Sequence, residues 1–515
     1  MRFFNTAGAS NPEKHYFLPH RLDQKLLCDF IKKEYYFILH APRQSGKTTA
    51  IIEFVQYLNL QGSYKALYLS VEATKTAVAD VLRAVEIIIK QLYDKIKITL
   101  PSEGVVLEYL KEIISKKQYE ESSVYDFLRF WAESSKQPLV VFFDEFDVIE
   151  GDVLVTLLAQ IRTGYTDRPK HFPQSICLIG VRDLRDYKIT TRSKEFGMLY
   201  SPFNIKAESL VLLDFSQEQV KDLYEQHTKE TGQIFTKEAL EYAFEQTQGQ
   251  PWLVNALAYQ ACFRDVQDRS LPITKEVLFL AREALIKRCD THIDALLDRL
   301  QEPRVCCIID TVLSGGGDDV DFQMDDLQYV RDLGLVSRKG IDIANPIYKE
   351  IIPRALAYTK QESLNQNIVW YQRKDSSLDV EALLKAFTEF YRENSEVWLE
   401  RFAYKEAGPH LLLLAFLQRV INGGGTIHRE YALGTKRVDL LLIWKGQRIV
   451  LELKIKRKAL DEIQGLEQIT AYMDKSCATE GHLILFNRDK KASWEEKIYH
   501  KIEQVRGKTI FIWGL

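Results

Sequence analysis

The sequence lacks the features that mark membrane-spanning and secreted proteins. No stretch reaches the ~18 consecutive apolar residues that a membrane-spanning helix needs, and the run from Leu411 to Leu417 is too short. The first 20 residues contain no apolar signal core. The 7 cysteines have no metal-ligand spacing, and their odd number argues against a disulfide framework. These absences predict a cytoplasmic protein that does not enter a membrane.

A strong excess of charge of either sign is also missing. The chain carries 69 Lys and Arg against 72 Asp and Glu, a formal net charge of -3. This balance neither requires nor excludes a nucleic-acid partner, because a local basic patch can lie on a neutral protein. At 515 residues the chain is too long for one hydrophobic core, so several domains are expected.

The pattern of elements divides the chain into five segments. Over residues 1–215 short apolar strands alternate with helical patterns, which is typical of a parallel sheet covered by helices. Residues 216–300 are nearly all helical, and residues 301–357 have the helix, helix, small β-wing order of a winged helix. Residues 358–385 are the predicted linker, and residues 386–515 form a separate α/β unit. The predicted strands of the first segment are Tyr35–Ala41, Lys65–Val71, Leu139–Phe143, Ser175–Val181 and Ser209–Phe215.

A phosphate-binding loop follows the first predicted strand and opens a helix. Residues Ala41–Thr48 match the pattern A/G-x-x-x-x-G-K-S/T, with Ala in the first position. Backbone N–H groups at a helix start attract phosphates, Lys47 is suited to reach the β- and γ-phosphates, and Thr48 is suited to ligate Mg²⁺. A chance match at a helix start is the alternative. The predicted nucleotide contacts are Ala41, Arg43, Gln44, Ser45, Gly46, Lys47, Thr48 and Thr49.

An acid pair completes this predicted site. The apolar strand Leu139–Phe143 ends in Asp144 and Glu145. A strand-terminal Asp can hold the water shell of Mg²⁺, and an adjacent Glu can polarise the attacking water. The loop and the acid pair together predict ATP binding and hydrolysis, with Mg²⁺ as the cofactor.

Several arginines are candidates for contacts with the γ-phosphate. Arg182 follows the strand after the acid pair, so it is the predicted sensor. Four more could act as fingers on a neighbouring subunit, which makes a homo-oligomer an expectation, although simple surface arginines are the alternative for each. These four are Arg162, Arg168, Arg185 and Arg192.

The tripeptide Gly249-Gln250-Pro251 lies between two helices of the predicted lid. Here the sequence resembles the archaeal-type and STAND-like branch of AAA-related ATPases, which carry Gly-x-Pro at this point. The resemblance implies that Pro251 lies near the nucleotide base and reports nucleotide state to the winged helix. A plain helix break with a fixed φ is the alternative.

The predicted recognition helix of the winged helix, Asp325–Leu333, is acidic. Phosphate contacts need Lys or Arg. A relay of nucleotide state is therefore favoured over direct reading of DNA.

Two apolar strands near the C-terminus carry polar residues. Glu452 and Lys454 are two residues apart, so they face the same side of their strand. If Gly446-Gln447 is the two-residue turn between the strands, Asp439 lies opposite Lys454 on that face. A cation bound by Asp439, Glu452 and the Leu453 carbonyl would compensate for burying these groups.

Such a metal would hold a scissile phosphate and activate a water, with Lys454 orienting or deprotonating it. A surface hairpin with ordinary polar residues is the alternative. The basic run Lys456, Arg457 and Lys458 beside the predicted metal could follow a phosphate backbone, unless it is only a solvated helix start.

Residues 390–515 resemble the PD-(D/E)xK nuclease superfamily, and most closely the nuclease-like domains fused to prokaryotic AAA-like ATPases. Besides Asp439 and the Glu-x-Lys pair, Gln468 and Tyr472 match the Q-x-x-x-Y element of the RecB-like branch. The resemblance implies that these two residues help to set the active-site geometry and contact DNA. It also aligns Glu406 with the acid of the first core helix.

The sequence therefore predicts an α/β protein: a P-loop NTPase parallel sheet with a helical lid and a winged helix, plus a C-terminal PD-(D/E)xK nuclease-like domain. The expected function is an ATPase that regulates a DNA nuclease, with Mg²⁺ or Mn²⁺ at the nuclease site. The resemblance implies a role in mobile elements or phage defence. Two alternatives stay open: a signalling or scaffold ATPase whose nuclease-like domain binds nucleic acid or a partner without cleaving it, and a transcription regulator, against which the acidic helix argues.

Overall fold

The structure of the protein is a computed structural model that describes most of the chain. The described residues are 1–77, 80–181, 206–288, 299–300, 302–313, 322–352, 371–373, 375–401, 409–410, 412–414, 416–417, 426–433, 436–456, 460–478, 480–487, 489 and 492–515. None of the helices within these ranges is long and apolar enough to cross a membrane. The chain divides into two compact units. The N-terminal unit comprises Met1–Arg288 and Gln323–Arg338, and the C-terminal unit comprises Cys289–Phe322 and Lys339–Leu515.

The elements alternate between strands and helices in the N-terminal unit and are mixed in the C-terminal unit. The strands are β1 (Phe3–Phe4), β2 (His15–Tyr16), β3 (Tyr36–His40), β4 (Lys65–Ser70), β5 (Leu139–Asp144), β6 (Ser175–Gly180), β7 (Lys206–Val211), β8 (Thr426–Leu433), β9 (Lys436–Trp444), β10 (Gln447–Lys456), β11 (Glu480–Asn487), β12 (Tyr499–Val505) and β13 (Lys508–Gly514). The α-helices are α1 (Gln24–Lys32), α2 (Lys47–Gln61), α3 (Val81–Thr99), α4 (Gly104–Lys116), α5 (Ser123–Ser134), α6 (Gly151–Thr163), α7 (Gln217–Thr231), α8 (Lys237–Thr247), α9 (Pro251–Tyr259), α10 (Lys275–Arg288), α11 (Pro303–Leu313), α12 (Met324–Asp332), α13 (Val380–Arg401), α14 (Leu460–Ser476) and α15 (Trp494–Lys497).

A five-stranded parallel sheet of order β4-β5-β6-β3-β7 forms the centre of the N-terminal unit. Its three central strands are buried along their whole length, as their unbroken apolar sequences require. Helices α1 and α2 cover one face, and α3, α5 and α6 cover the other. The α/β class with a parallel sheet is thus confirmed.

The predicted strands of this sheet agree with the observed ones except at β7. That strand spans Lys206–Val211, whereas the prediction placed it at Ser209–Phe215. The start of β7 was missed because the charged residues Lys206 and Glu208 interrupt the apolar pattern. The predicted end at Phe215 was wrong because the chain leaves the sheet before Leu213, whose side chain is 63% exposed.

Helices α7 to α10 follow the sheet and form the segment that was predicted as the lid. Ser216 opens α7 with a capping box, in which its side chain accepts a hydrogen bond from Gln219 N–H and the Gln219 side chain accepts one from Ser216 N–H. Thr236 is a simple N-cap of α8, and its side chain accepts from Ala239 N–H. The N-terminal residues also belong to this region, because Phe4 packs against Tyr224.

A six-stranded mixed sheet of order β12-β13-β11-β10-β9-β8 organises the C-terminal unit. Strand β10 pairs antiparallel with β9 and parallel with β11. Side chains of α13 pack on one face and those of α14 on the other. The predicted linker reaches residue 385, yet its last part is core, because its apolar residues repeat at helical spacing. The buried ones are Tyr371, Leu378, Val380, Leu383 and Leu384.

Candidate functional site

The phosphate-binding loop joins β3 to α2. Gly46 is the N-cap of α2 at φ 84°, a left-handed conformation. A Cβ added to Gly46 would lie 2.8 Å from the guanidinium of Arg21, so glycine is the residue that fits both the angle and the space. The Lys47 ammonium donates to the carbonyl oxygens of Ala41 at 2.7 Å and Pro42 at 3.0 Å. Burial lowers the pKa of Lys47, and the charges of Glu145 and Asp144 oppose this effect.

The acid pair meets the loop at the end of β5. Asp144 is fully buried, and its Oδ2 accepts hydrogen bonds from the Thr48 hydroxyl at 2.9 Å and the Tyr68 hydroxyl at 2.8 Å. Its Oδ1 accepts from the Glu145 N–H at 2.8 Å. The structure therefore brings together Thr48 and Asp144, the two residues predicted to hold Mg²⁺. Sequence reasoning missed Tyr68, because an aromatic residue within a strand has the pattern of core.

Glu145 follows Asp144 in a left-handed conformation at φ 57°. Burial raises its pKa, and the charges of Asp144 and Asp147 raise it further. A carboxylate with a raised pKa holds protons more tightly. Glu145 is therefore suited to polarise or deprotonate a water molecule.

Arg21 is a second residue that the sequence did not reveal, since no motif surrounds it. Its guanidinium donates to the carbonyl oxygens of Ser45 in the loop and Leu213 after β7. It also lies over the ring of Phe215, 4.6 Å from the centroid. Burial lowers the pKa of Arg21 to about 10, and Asp214 opposes this shift. Arg21 thus links the phosphate-binding loop to the start of the lid.

A cavity of about 550 Å³ opens over the loop. The N-terminal residues 5–10 form part of its wall: Ser10 N–H donates to the Thr49 hydroxyl at 3.0 Å, and Trp252 Nε1 donates to the Thr6 carbonyl at 2.9 Å. Its volume is in the range of small-molecule and cofactor sites. Ala41, Ser45 and Asp144 are buried. The other predicted residues line the cavity: Arg43, Gln44, Gly46, Lys47, Thr48, Thr49, Glu145 and Pro251.

Pro251 occupies the first turn of α9, where its missing N–H costs nothing. Gln250 caps this helix through Leu253 N–H at 2.6 Å. The preceding Gly249 carbonyl accepts from Phe215 N–H at 2.9 Å, so the Gly-x-Pro turn is tied to the chain segment that enters the lid.

The predicted recognition helix, α12, lies against the phosphate-binding loop. Asp332 at its end is 1% exposed, lies 3.4 Å from His40 Nδ1 and pairs with Arg338 at 2.9 Å. A Cβ added to Gly334 would come within 2.8 Å of Pro42. The end of α12 is thus buried within the N-terminal unit, next to the phosphate-binding loop, and the relay of nucleotide state stays a prediction.

The arginine predictions have mixed outcomes. Arg182, the predicted sensor, lies outside the described residues, as do Arg185 and Arg192. Arg168 donates to the carbonyl oxygens of Tyr165 and Glu34 and lies 3.6 Å from the Tyr165 ring centroid. Its guanidinium is therefore engaged by residues of its own unit. Arg162 is an exposed residue at the end of α6.

In the C-terminal unit, β9 and β10 form the predicted hairpin with a different register. Trp444 pairs with Gln447, so the turn consists of Lys445 and Gly446, whose φ angles are 46° and 89°. Positive φ at both central residues is the type I′ turn that suits the twist of a hairpin. Continued from the Leu440–Leu451 pair, this register places Asp439 opposite Glu452. The prediction that Asp439 lies opposite Lys454 was wrong, because it placed the turn one residue too late.

The two acids and the lysine meet on one face of this hairpin. Asp439 accepts a hydrogen bond from Leu453 N–H at 2.8 Å, and Glu452 Oε1 lies 3.1 Å from Lys454 Nζ. Glu452 is 2% exposed, and its Oε2 has no hydrogen-bond partner among the described residues. Burial raises the pKa of Glu452 to about 8, with a further rise from Asp439 and an opposing effect of Lys454. A pair of acids in which Glu452 is buried and Asp439 is partly buried is an oxygen-rich place for a cation.

Helix α14 covers this face and carries Gln468 and Tyr472. Val450, which faces the same way as Glu452, packs in one cluster with Tyr472. The Oε1 of Gln468 is buried and, like Glu452 Oε2, has no partner in the described part of the chain. Within that part, no group of three or more His, Cys, Asp or Glu residues could hold a metal ion.

Other predicted residues of this site lie outside the description. They are Glu406, Arg457 and Lys458; for Lys456 only the backbone, within β10, is described. Their roles stay predictions.

Comparison with known proteins places the N-terminal unit in a family. A family model described as an AAA-like domain matches residues 6–344. Similar solved structures include a Walker-type ATPase of Pyrococcus abyssi, at 14% identity over 68% of this chain and 99% of that chain, with a TM-score of 0.45. The Holliday junction branch migration motor RuvB of Thermotoga maritima matches at 14% identity over 62% and 88%, with a TM-score of 0.32. Cdc6p from Pyrobaculum aerophilum matches at 13% identity over 75% and 88%, with a TM-score of 0.34.

No curated protein matches the chain. Residues 345–515, which include the hairpin with Asp439 and Glu452, lie beyond the family match. The match itself covers more than half of the sequence and includes the phosphate-binding loop, the acid pair and the Gly-x-Pro turn. The chain therefore belongs to the family of the AAA-like domain.

Proposed function

We propose that the protein binds and hydrolyses ATP in its N-terminal unit and thereby regulates a metal-dependent phosphodiesterase in its C-terminal unit, with DNA as the substrate. The observation that carries the second half is Glu452, a buried carboxylate with one oxygen that has no partner among the described residues. Such a group costs free energy unless something binds it.

The ATPase half rests on family membership and on the residues that meet at the cavity. Lys47 now donates to loop carbonyls, and its ammonium is the group that would turn to the β- and γ-phosphates of ATP. Thr48 and Asp144 have the oxygen chemistry of a Mg²⁺ site and lie within 2.9 Å of each other. When bound, Mg²⁺ neutralises phosphate charge. Glu145 then takes a proton from the attacking water.

The nuclease half rests on the hairpin and on α14. Asp439 and Glu452 have the donor chemistry that Mg²⁺ and Mn²⁺ prefer, and Gln468 contributes a further buried oxygen on the helix that covers them. The bound ion would polarise the phosphodiester and lower the pKa of a water. Lys454, which is 31% exposed and 3.1 Å from Glu452, is placed to hold the attacking water or the phosphate.

A basic run of the sequence lies close to this site along the chain, and DNA would contact it. Lys456, Arg457 and Lys458 come shortly after Lys454, separated from it by Ile455, and their positive charge suits a phosphate backbone. Tyr472 on α14 is buried, so of the two roles that the resemblance implies for it, setting the geometry of the site is the one proposed.

Plasmid cleavage in Mn²⁺ tests the nuclease half. We expect the wild-type protein to nick or linearise DNA, Glu452→Ala to abolish cleavage, and Glu503→Gln on the edge strand β12 to leave it unchanged. The control removes a partly exposed carboxylate that pairs with Lys501 at 3.5 Å and lies away from the hairpin. Cleavage that persists in Glu452→Ala would contradict the assignment.

Lys47→Ala tests the regulation. This substitution should remove ATP binding and change the rate of DNA cleavage. Lys90→Ala is the control: it breaks the surface ion pair with Glu86, and it should change neither ATP binding nor cleavage. Equal cleavage by wild type and Lys47→Ala would mean that the two units only share a chain. A wild-type protein that cleaves nothing with ATP, ADP or no nucleotide would favour a signalling or scaffold ATPase.

A further inference from the structure

Tyr68 lies near the middle of β4, next to the strand that carries the acid pair. Strands β4 and β5 are parallel, and Ser70 pairs with Asp144. Tyr68 is two residues before Ser70, so it points to the same face of the sheet. That face is covered by α2, which begins at Lys47 and Thr48. The tyrosine side chain is long enough to cover the two-residue distance along the strand, and its hydroxyl donates to Asp144 Oδ2 at 2.8 Å.

This contact completes the hydrogen bonding of a buried carboxylate. Oδ2 accepts from Thr48 as well as Tyr68, and Oδ1 accepts from Glu145 N–H. Three donors on two oxygens fix the plane of the carboxylate, because each bond depends on direction. Of the three, only the bond from Tyr68 comes from outside the motif residues.

The direction of this bond is fixed by the chemistry of the two groups. The phenol hydroxyl of Tyr68 donates, because a carboxylate oxygen can only accept. Lys95 lies 5.2 Å from the centroid of the ring and helps to hold it in place.

We infer that Tyr68 is a positioning residue of the ATP site, which orients Asp144 toward Mg²⁺ bound with the nucleotide. This inference rests on the proposed ATPase function. Without the phenol hydroxyl, Asp144 keeps its charge and its bond to Thr48 but gains rotational freedom. The part of the ATP affinity that depends on Mg²⁺ should then weaken, and the part due to the loop backbone and Lys47 should not.

The test compares ATP binding to the full-length protein in excess Mg²⁺ and in EDTA, measured by calorimetry. Tyr68→Phe removes only the hydroxyl, and we expect the gain in affinity on adding Mg²⁺ to fall about tenfold, as for one hydrogen bond to a charged group. Affinity in EDTA should not change. Tyr36→Phe is the matched control, because it removes a buried hydroxyl that donates to the Pro173 carbonyl at 3.0 Å on β3 of the same sheet.

A gain on adding Mg²⁺ that is equal in Tyr68→Phe and wild type would overturn the inference, as would an equal loss in Tyr36→Phe. A loss of affinity that is the same in EDTA and in Mg²⁺ would also overturn it, since a merely structural role predicts that result. If the wild type binds no ATP, both the ATPase half of the proposed function and this inference are wrong. The experiment does not involve DNA cleavage, so failure of the nuclease half would not change its result.

Discussion

At the scale of single residues, Glu452 combines burial with an incomplete set of partners. Two carboxylates opposite each other on buried strands repel, and Lys454 offsets only part of that repulsion. Proteins retain such strain where a ligand relieves it. The metal-free stability of the C-terminal unit should therefore depend on pH in a way that identifies this residue.

We predict that Glu452→Gln removes this dependence on pH. The pKa of Glu452 is raised from 4.5 to about 8, so between these values the folded state holds a proton that the unfolded state has lost. Stability of the wild type in EDTA then falls as pH rises from about 5 to 8, and the loss is complete above the folded pKa. Thermal unfolding of the wild type and Glu452→Gln in EDTA, at about pH 5 and about pH 8, measures the change in stability with pH. An equal change in the two proteins would contradict the prediction.

Metal should stabilise the wild type far more than Glu452→Gln. At a Mn²⁺ concentration 100 times the dissociation constant, binding stabilises the folded wild type by about 2.7 kcal/mol. Glu452→Gln, which lacks a charged ligand, should gain far less. Thermal unfolding with and without Mn²⁺ checks this, with Glu503→Gln as the variant that keeps the wild-type response.

Glu145→Gln should separate ATP binding from hydrolysis. The amide keeps the shape of the side chain but cannot take a proton, so we expect turnover to fall by about 100-fold or more while ATP affinity changes little. Steady-state phosphate release and equilibrium binding measure the two quantities. Asp147→Asn is the neighbouring control, and a fall in its turnover as large as that of Glu145→Gln would argue that local charge, not proton transfer, matters.

Sequence motifs identified residues whose type and spacing are dictated by phosphate chemistry. Lys47, Thr48 and Asp144 were predicted in this way, and the structure brings Thr48 and Asp144 into contact. The contacts of Tyr68 and Arg21 were not predicted, because they join elements that are distant in the chain. A tyrosine in a strand and an isolated arginine carry no local pattern that distinguishes them from core and surface.

At the scale of elements, the end of α12 lies close to the phosphate-binding loop. Asp332 lies 3.4 Å from His40 of β3, and a Cβ added to Gly334 would lie 2.8 Å from Pro42 of the loop. We predict that a shift of the loop is transmitted to α12, because close-packed groups cannot absorb movement.

Gly334→Ala should disturb that contact, and Gly62→Ala is its matched control. Both glycines have positive φ, 78° and 71°, so either substitution costs about 1–2 kcal/mol of backbone strain. An added Cβ at Gly62 meets nothing within 4 Å, whereas at Gly334 it meets Pro42 at 2.8 Å. We expect a larger loss of stability and a change in ATP affinity only for Gly334→Ala. Equal effects in thermal unfolding and ATP binding would rule out the proposed coupling.

Element types were predicted better than their limits and pairing. The three central strands, β3, β5 and β6, follow from apolar runs that only a strand covered on both faces can bury. The register of the hairpin did not follow, since Lys445-Gly446 and Gly446-Gln447 are both acceptable turns by composition. Pairing of Trp444 with Gln447 decides between them, and that pairing depends on side-chain packing across the whole sheet.

At the scale of the whole molecule, the two candidate sites belong to different compact units. Effects of substitutions on stability at sites without shared partners usually add within about 0.5 kcal/mol. We therefore predict that the stability changes of Lys47→Ala and Glu452→Gln sum in the double variant. Denaturant unfolding of the four proteins tests this, and a deviation above about 1 kcal/mol would indicate an energetic connection between the units.

The two-residue turn at Lys445 and Gly446 determines which residues of β9 and β10 lie opposite each other, and so it places Asp439 opposite Glu452. Side chains alternate along a strand, so an insertion that moved the pairing of β10 with β9 by one residue would turn every later side chain of β10 to the other face of the sheet. Glu452 would then exchange sides with its apolar neighbours, with no change in the composition of either strand. The pairing set at this turn therefore governs whether the two carboxylates meet at all, and function can be lost there without a change in any charged residue.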